Sequence, residues 1–188
     1  MESERARVRP AGRGDLAAVA GILAFYVTNS LATFEEEPPG LPQWQQRLDS
    51  LAGRGLPFLV AETGGVVTGY AYASPWRPKP AYRHTVEDSV YLAPGQRGRG
   101  LGRLLLDALL TGCADAGARQ VIAVIADSGD PASVALHRAC GFADAGRLTR
   151  VGYKHGRWID TLLLQRGLGP GWRSSPPPGP GADDPLLA

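Results

Sequence analysis

The chain has 188 residues, of which 44% are apolar and 20% charged, with a net charge of +2. That length fits one domain with a sizeable core, and the composition is that of an ordinary globular protein, which excludes disordered and collagen-like classes. The basic residues are nearly all arginines scattered from end to end, with Lys79 and Lys154 as the two lysines, a pattern that argues against the clustered basic face of a nucleic-acid binder.

Residues 1–10 are charged and carry no apolar signal-peptide region, and no apolar run reaches the length of a membrane span. A cytoplasmic protein with no membrane contact is expected. Residues 6–10 read as a first strand, and Asp15 as the N-cap of an apolar helix through Leu16, Val19, Ile22 and Leu23 to Val27. A second helix is predicted after Leu41 and Pro42, with Trp44, Leu48 and Leu51 at helical spacing and an end near Gly53 to Gly55. Residues 56–62 and 66–73 form a predicted hairpin around Gly64 and Gly65.

Strands follow at 85–92 and 120–126, and between them lies a long helix over about 100–116. Its polar positions Arg103, Asp107 and Thr111 recur every four residues and the rest is apolar, so most of it is buried. A shorter helix over 131–140 stops at Gly141, and a last pair of strands covers 142–149 and 158–165. Cys113 and Cys140 fall in the two helices as small buried hydrophobes and support neither a zinc site nor a disulfide scaffold. Residues 167–188, rich in Pro and Gly, are predicted to be a disordered tail. The order of elements gives an α/β fold with a mixed central sheet flanked by helices.

The most informative stretch runs from Leu92 to Gly102, where a strand ends and the long helix begins. Glycines there let the backbone turn sharply and approach a ligand, and the unpaired N–H groups of the helix start attract negative charge such as a pyrophosphate. No Gly-Lys-Ser/Thr follows, and the spacing of Gly98, Gly100 and Gly102 is not the dinucleotide fingerprint, so both common nucleotide loops are excluded. A structural elbow is the bland alternative.

Arg97-x-x-Gly100-x-Gly102 resembles the pyrophosphate signature of GNAT acetyltransferases, and it follows a strand as in that family. Residues 73–82, 85–92, 133–137 and 151–158 are similar to the phosphinothricin acetyltransferase branch, and with the glycine turn the resemblance covers about residues 6–166. It implies the GNAT acyl-CoA N-acyltransferase fold over 1–166 and acetyl-CoA as cosubstrate, with no metal. It also implies backbone amides of Arg97, Gly98, Arg99, Gly100, Leu101 and Gly102 on the pyrophosphate, and the backbone of Val90, Tyr91 and Leu92 along the pantetheine arm.

Transfer to an amine requires removal of a proton from the ammonium before the nitrogen attacks. Glu87 occupies the family's base position, whereas Asp88, next on the strand, points to the opposite face; a solvated strand-end carboxylate is the alternative reading of Glu87. His137 stands where the branch carries a histidine able to protonate the departing thiolate. A histidine bonded to a backbone carbonyl is the competing interpretation. Ser133 opens the same helix. Relatives often have Asn three residues earlier, bonding the pantetheine; this chain has Asp130, which when ionised accepts hydrogen bonds but donates none, and which serves equally as a helix cap.

Arg77, Lys79 and Arg83, with Trp76 and Tyr82 among them, precede Glu87 and suit an anionic acceptor. Phe34, Lys154 and Trp158 are further candidates for that pocket, with core packing as the alternative for Phe34 and Trp158. The resemblance therefore implies a small amino-acid-like acceptor and a homodimer. Polyamines and aminoglycosides would need an acidic pocket; a protein N-terminus, or an acyl-CoA-binding module without turnover, are the other readings.

Overall fold

The computed structural model describes residues 6–169. Among the described residues, seven strands form one sheet in the order β1-β2-β3-β4-β5-β7-β6. They are β1 (Arg7–Pro10), β2 (Phe58–Thr63), β3 (Val66–Pro75), β4 (Thr85–Leu92), β5 (Gln120–Ala126), β6 (Ala143–Lys154) and β7 (Arg157–Gly167). Every neighbouring pair is antiparallel except β4 and β5. That one parallel pair follows from the crossover through helix α3 (Leu101–Asp115), since parallel neighbours cannot be joined by a hairpin.

Strand alternation divides the core in two. On β3, Tyr70 and Tyr72 face helices α1 (Leu16–Asn29) and α2 (Leu41–Gly53), where Leu16, Val19, Leu23, Trp44 and Phe58 pack with them. Ala71 and Ala73 face α3 and helix α4 (Ala132–Ala139). Small alanines on that face admit the Leu105, Leu106, Leu109 and Leu110 row of α3. Arg103, Asp107 and Thr111 lie on the solvent side of α3, as their four-residue spacing predicts.

Two local expectations are corrected. Asp15 makes no side-chain bond to the start of α1. Its oxygens instead accept the Arg9 guanidinium at 2.7 and 2.8 Å and the Gly12 N–H at 2.8 Å, a charge-assisted fork that outweighs a single capping bond. The last hairpin is longer than its sequence pattern indicates, with β6 reaching Lys154 and β7 beginning at Arg157 around the His155 and Gly156 turn. The reason is that β6 is an edge strand exposed along most of its length, so the apolar alternation that marks a half-buried strand is absent from it.

Strand β7 runs through Gly167, and Leu168 is buried with its N–H donated to the Arg119 carbonyl at 2.9 Å. The rest of the predicted tail lies outside the described residues. Among the described residues no helix is long and apolar enough to cross a membrane.

Candidate active site

The parallel pairing of β4 and β5 runs from Thr85 and Gln120 to Asp88 and Ala123, and there it stops. Beyond that point β4 stays paired with β3 as far as Leu92, and β5 stays paired with β7 as far as Ala126. The two strands therefore splay, and the sheet opens into a wedge. A cavity of about 540 Å³ occupies it, lined by residues of both edges together with the starts of α3 and α4. Backbone N–H and C=O groups of Ser89, Val90 and Tyr91 on the β5 side have lost their strand neighbour, which leaves an edge ready to pair with an extended ligand. Leu92 is different: its carbonyl accepts the Tyr26 hydroxyl at 2.8 Å.

The glycine turn closes one end of the wedge. Gly98 and Gly100 have φ of 76° and 78°, the left-handed region that glycine enters without strain, and Gly100 is the N-cap of α3. The helix thus starts with its free amides beside the cavity, which Arg97, Gly98, Gly100, Gly102 and Arg103 line. At Gly102 an added Cβ would come within 3.1 Å of Leu136, so the missing side chain lets α4 approach α3 closely. Of the six residues expected at this turn, Arg99 is exposed and Leu101 is buried in the core, and both lie outside the cavity lining.

Asp130 does two things. Its Oδ1 accepts the Ala132 N–H at 3.0 Å, capping α4, and its other oxygen pairs with Arg97 across the mouth of the wedge. The Ala132 amide first, and the Arg97 guanidinium second, hold its carboxyl below the usual range. Ser133 also lines the cavity, one turn before His137.

Glu87 is half-buried at the inner end of the wedge. Burial, then the neighbouring Asp88 charge, push its carboxyl up, and Arg77 opposes them. His137 is buried against Phe142, with Nε2 at 2.8 Å from Asp88 Oδ2 and Nδ1 at 2.7 Å from the Ser133 carbonyl. Glu87 and His137 therefore line one cavity, as the sequence reading requires.

The acceptor side is built differently from the sequence expectation. Phe34 lines the cavity, and its ring lies over Gly152, where an added Cβ would stand 2.5 Å from the ring. Only glycine admits that ring. Lys154 is no liner: it is buried, donates from Nζ to the Thr33 carbonyl at 2.9 Å, and straps the loop after α1 to β6. Burial lowers its ammonium pKa, against the raising charges of Glu35 and Glu36.

Trp158 is 63% exposed and belongs neither to the core nor to the cavity lining. Lys79, Tyr82 and Arg83 are likewise exposed and outside the lining, because the single 3-10 turn Pro80–Tyr82 carries them outward. Arg77 is also exposed and outside the lining, but it stacks on Trp76 at 5.0 Å and stays close enough to act on Glu87.

The lining also includes residues that the sequence pattern did not assign to the site, among them Tyr26, Thr33, Tyr72, Asp88 and Thr161. Tyr72 accepts a bond from Arg47 at 3.0 Å, whose guanidinium lies over both the Trp44 and Tyr72 rings. Helical spacing marks Arg47 as a neighbour of Trp44 but carries no sign of the strand residue opposite.

Residues 22–142 match the acetyltransferase (GNAT) family. The chain belongs to this family. This acetyltransferase is 49% identical over 164 residues to a phosphinothricin N-acetyltransferase of Alcaligenes faecalis, covering 87% of the chain and 83% of the relative. It is 43% identical over 175 residues to an L-methionine sulfoximine/L-methionine sulfone acetyltransferase of Pseudomonas aeruginosa, covering 91% and 99% of the two. Its structure superposes with a TM-score of 0.89 on the crystal structure of a GNAT superfamily phosphinothricin acetyltransferase from Sinorhizobium meliloti in complex with acetyl-CoA, at 44% identity and over 95% and 97% of the two chains. The family and fold implied by the motifs are therefore those of the chain, and it is an N-acetyltransferase.

Proposed function

We propose that this enzyme transfers acetyl from acetyl-CoA to the amine of a small acidic amino acid such as phosphinothricin, methionine sulfone or methionine sulfoximine. The observation that carries the reading is the wedge itself: an unpaired strand edge leading from the amides at the start of α3 to Glu87 and His137. Its size, its backbone edge and its positive-φ glycines fit a pantetheine arm ending in a diphosphate. The names of the relatives support the acceptor class.

Acetyl-CoA supplies an activated acetyl thioester when bound. The amides of residues 97–102 would hold its diphosphate, and the free edge of Ser89 to Tyr91 would orient the pantetheine. Glu87, raised by burial, takes a proton from the acceptor ammonium, directly or through a water. His137 supplies the proton for the leaving sulfur. Arg77, outside the lining but near Glu87, attracts the acceptor's anionic group toward the cavity, and Phe34 and Tyr72 wall the pocket.

The test is release of coenzyme A thiol with phosphinothricin, methionine sulfone, methionine sulfoximine and a basic amine. Turnover is expected with the first three. Exclusive turnover with the basic amine would overturn the acceptor assignment, and coenzyme binding without turnover would make the chain a binding module.

A valine at position 100 must adopt a left-handed φ at a cost of about 1–3 kcal/mol or tilt the helix start away. Gly100→Val is therefore expected to weaken coenzyme A binding by about tenfold, measured by calorimetry, with Arg99→Ala as a control that changes it little.

We also infer a homodimer. Val151, Tyr153 and Trp158 are exposed apolar residues of the β6 and β7 hairpin, the last two with rings 5.2 Å apart, and sedimentation at graded concentrations checks the assembly.

A further inference from the structure

Asp88 follows Glu87 on β4, so its side chain leaves the opposite face of the strand, toward α3 and α4. There it meets His137 at 2.8 Å, with side chains only 2% and 4% exposed, and both residues line the cavity. The other ring nitrogen, Nδ1, faces a carbonyl that can only accept, so Nδ1 carries a hydrogen. If Nε2 carried none, its lone pair would oppose a carboxylate lone pair at hydrogen-bond distance. A proton therefore lies between Asp88 and His137.

The surroundings do not neutralise this pair in another way. The β3 and β5 residues opposite Asp88 are Ala73 and Ala123. The titratable neighbours are Glu87 on β4 itself and Cys113 on α3, whose thiol is pushed up to about 12 by burial and then by Asp88, and so stays neutral. Asp88 Oδ1 is buried with no hydrogen-bond partner among the described residues, which is unusual for a carboxylate held only for structure. Burial works against an imidazolium at His137, but the Asp88 hydrogen bond and charge, with the Ser133 carbonyl, outweigh it and raise the pKa.

We propose that Asp88 is a positioning residue that keeps a proton on His137 Nε2 for the sulfur leaving in acetyl transfer, so that the acid is the pair and not a lone imidazole. The proposal rests on the acetyl-transfer reading above. In the step, the hydrogen held between Nε2 and Asp88 Oδ2 exchanges its bond to Asp88 for one to sulfur; the Nε2–H bond breaks and an S–H bond forms, while the electron pair of the broken C–S bond stays on sulfur. The acceptor ammonium loses two protons in all: one leaves through Glu87 and the other restores His137. The products are the amide, the free thiol and one proton to solvent.

Two measurements test it, using Asp88→Asn and Asp88→Glu. Nitrogen NMR of the substrate-free protein over about pH 5 to 9, a window spanning the ordinary histidine range, reads the protonation of His137 directly. The wild-type ring is expected to remain doubly protonated above the ordinary histidine midpoint of ~6.5. The Asn variant is expected to hold a neutral ring with hydrogen on Nδ1, and the Glu variant to recover the charged form. A neutral wild-type ring near neutral pH would overturn the proposal.

In the second measurement, turnover by Asp88→Asn is expected to fall increasingly as pH rises, by about tenfold per pH unit between the two titration midpoints, with partial recovery in Asp88→Glu. The sign follows because a proton donor works below its pKa, and Asp88 extends that range upward. A loss of equal size at every pH would mark a purely structural role and overturn the proposal. If the wild-type protein transfers no acetyl group at all, the functional reading falls, and the NMR titration still decides whether the proton is held.

Discussion

Glu87→Gln is expected to lower kcat by a factor of about 100 to 10,000, with coenzyme A affinity by calorimetry unchanged. Glutamine keeps the shape and the hydrogen-bonding reach of the side chain but accepts no proton, so the loss isolates proton removal from substrate positioning. Unchanged kcat would remove Glu87 from the mechanism.

The pH profile gives an independent check. A base acts when ionised, so kcat/KM falls as pH drops through its pKa. Burial and the Asp88 charge raise that pKa, and the acid limb is expected above the ordinary ~4.3 of a glutamate. Arg77 opposes the shift, so Arg77→Ala should move the limb higher still. Asp88→Asn should move it lower, because a raising charge is removed. An acid limb that ignored both substitutions would belong to another group.

Trp44→Ala is expected to cost about 3 to 5 kcal/mol of stability, read as a lowered denaturant midpoint. Trp44 is 1% exposed and packs against Phe58, Tyr70 and Tyr72 at ring separations of 6.0, 5.6 and 6.2 Å. It anchors α2 to the sheet, and its loss opens a cavity that the close-packed rings cannot refill. Arg47 lies over Trp44 and bonds Tyr72, so the same change loosens one wall of the acceptor pocket. A raised KM for the acceptor is expected in whatever fraction stays folded, with coenzyme affinity preserved because the amides at α3 stand on the other side of the sheet. A destabilisation below about 1 kcal/mol, no larger than an ordinary surface change, would mean that α2 is held by other contacts.

Local patterns account for what the sequence disclosed. The elements and their order were legible because each is specified within its own residues: four-residue recurrence on α3, alternation on β3 and β4, and glycines at the turns. The glycine turn was legible for the same reason, whereas Glu87 and His137 were singled out through the resemblance to the family, because a lone carboxylate or histidine carries no local mark of its role; both line the cavity. Nearness in sequence to Glu87 did not indicate that Lys79, Tyr82 and Arg83 are exposed outside the cavity lining, where one tight turn at Pro80–Tyr82 carries them. Asp88 was read correctly as facing away from Glu87, but its partner lies 49 residues further along the chain.

The sequence by itself determined the order of elements and the glycine turn before α3, because short-range spacing specifies backbone conformation, and its motifs carried the resemblance that identifies the family. Tertiary structure alone decided where β4 and β5 part, that Lys154 straps Thr33 while Phe34 covers Gly152, and that Asp88 meets His137 in the core. These contacts join residues far apart in the chain, and their energies come from burial and pairing that exist only once the sheet has closed on both layers of helices.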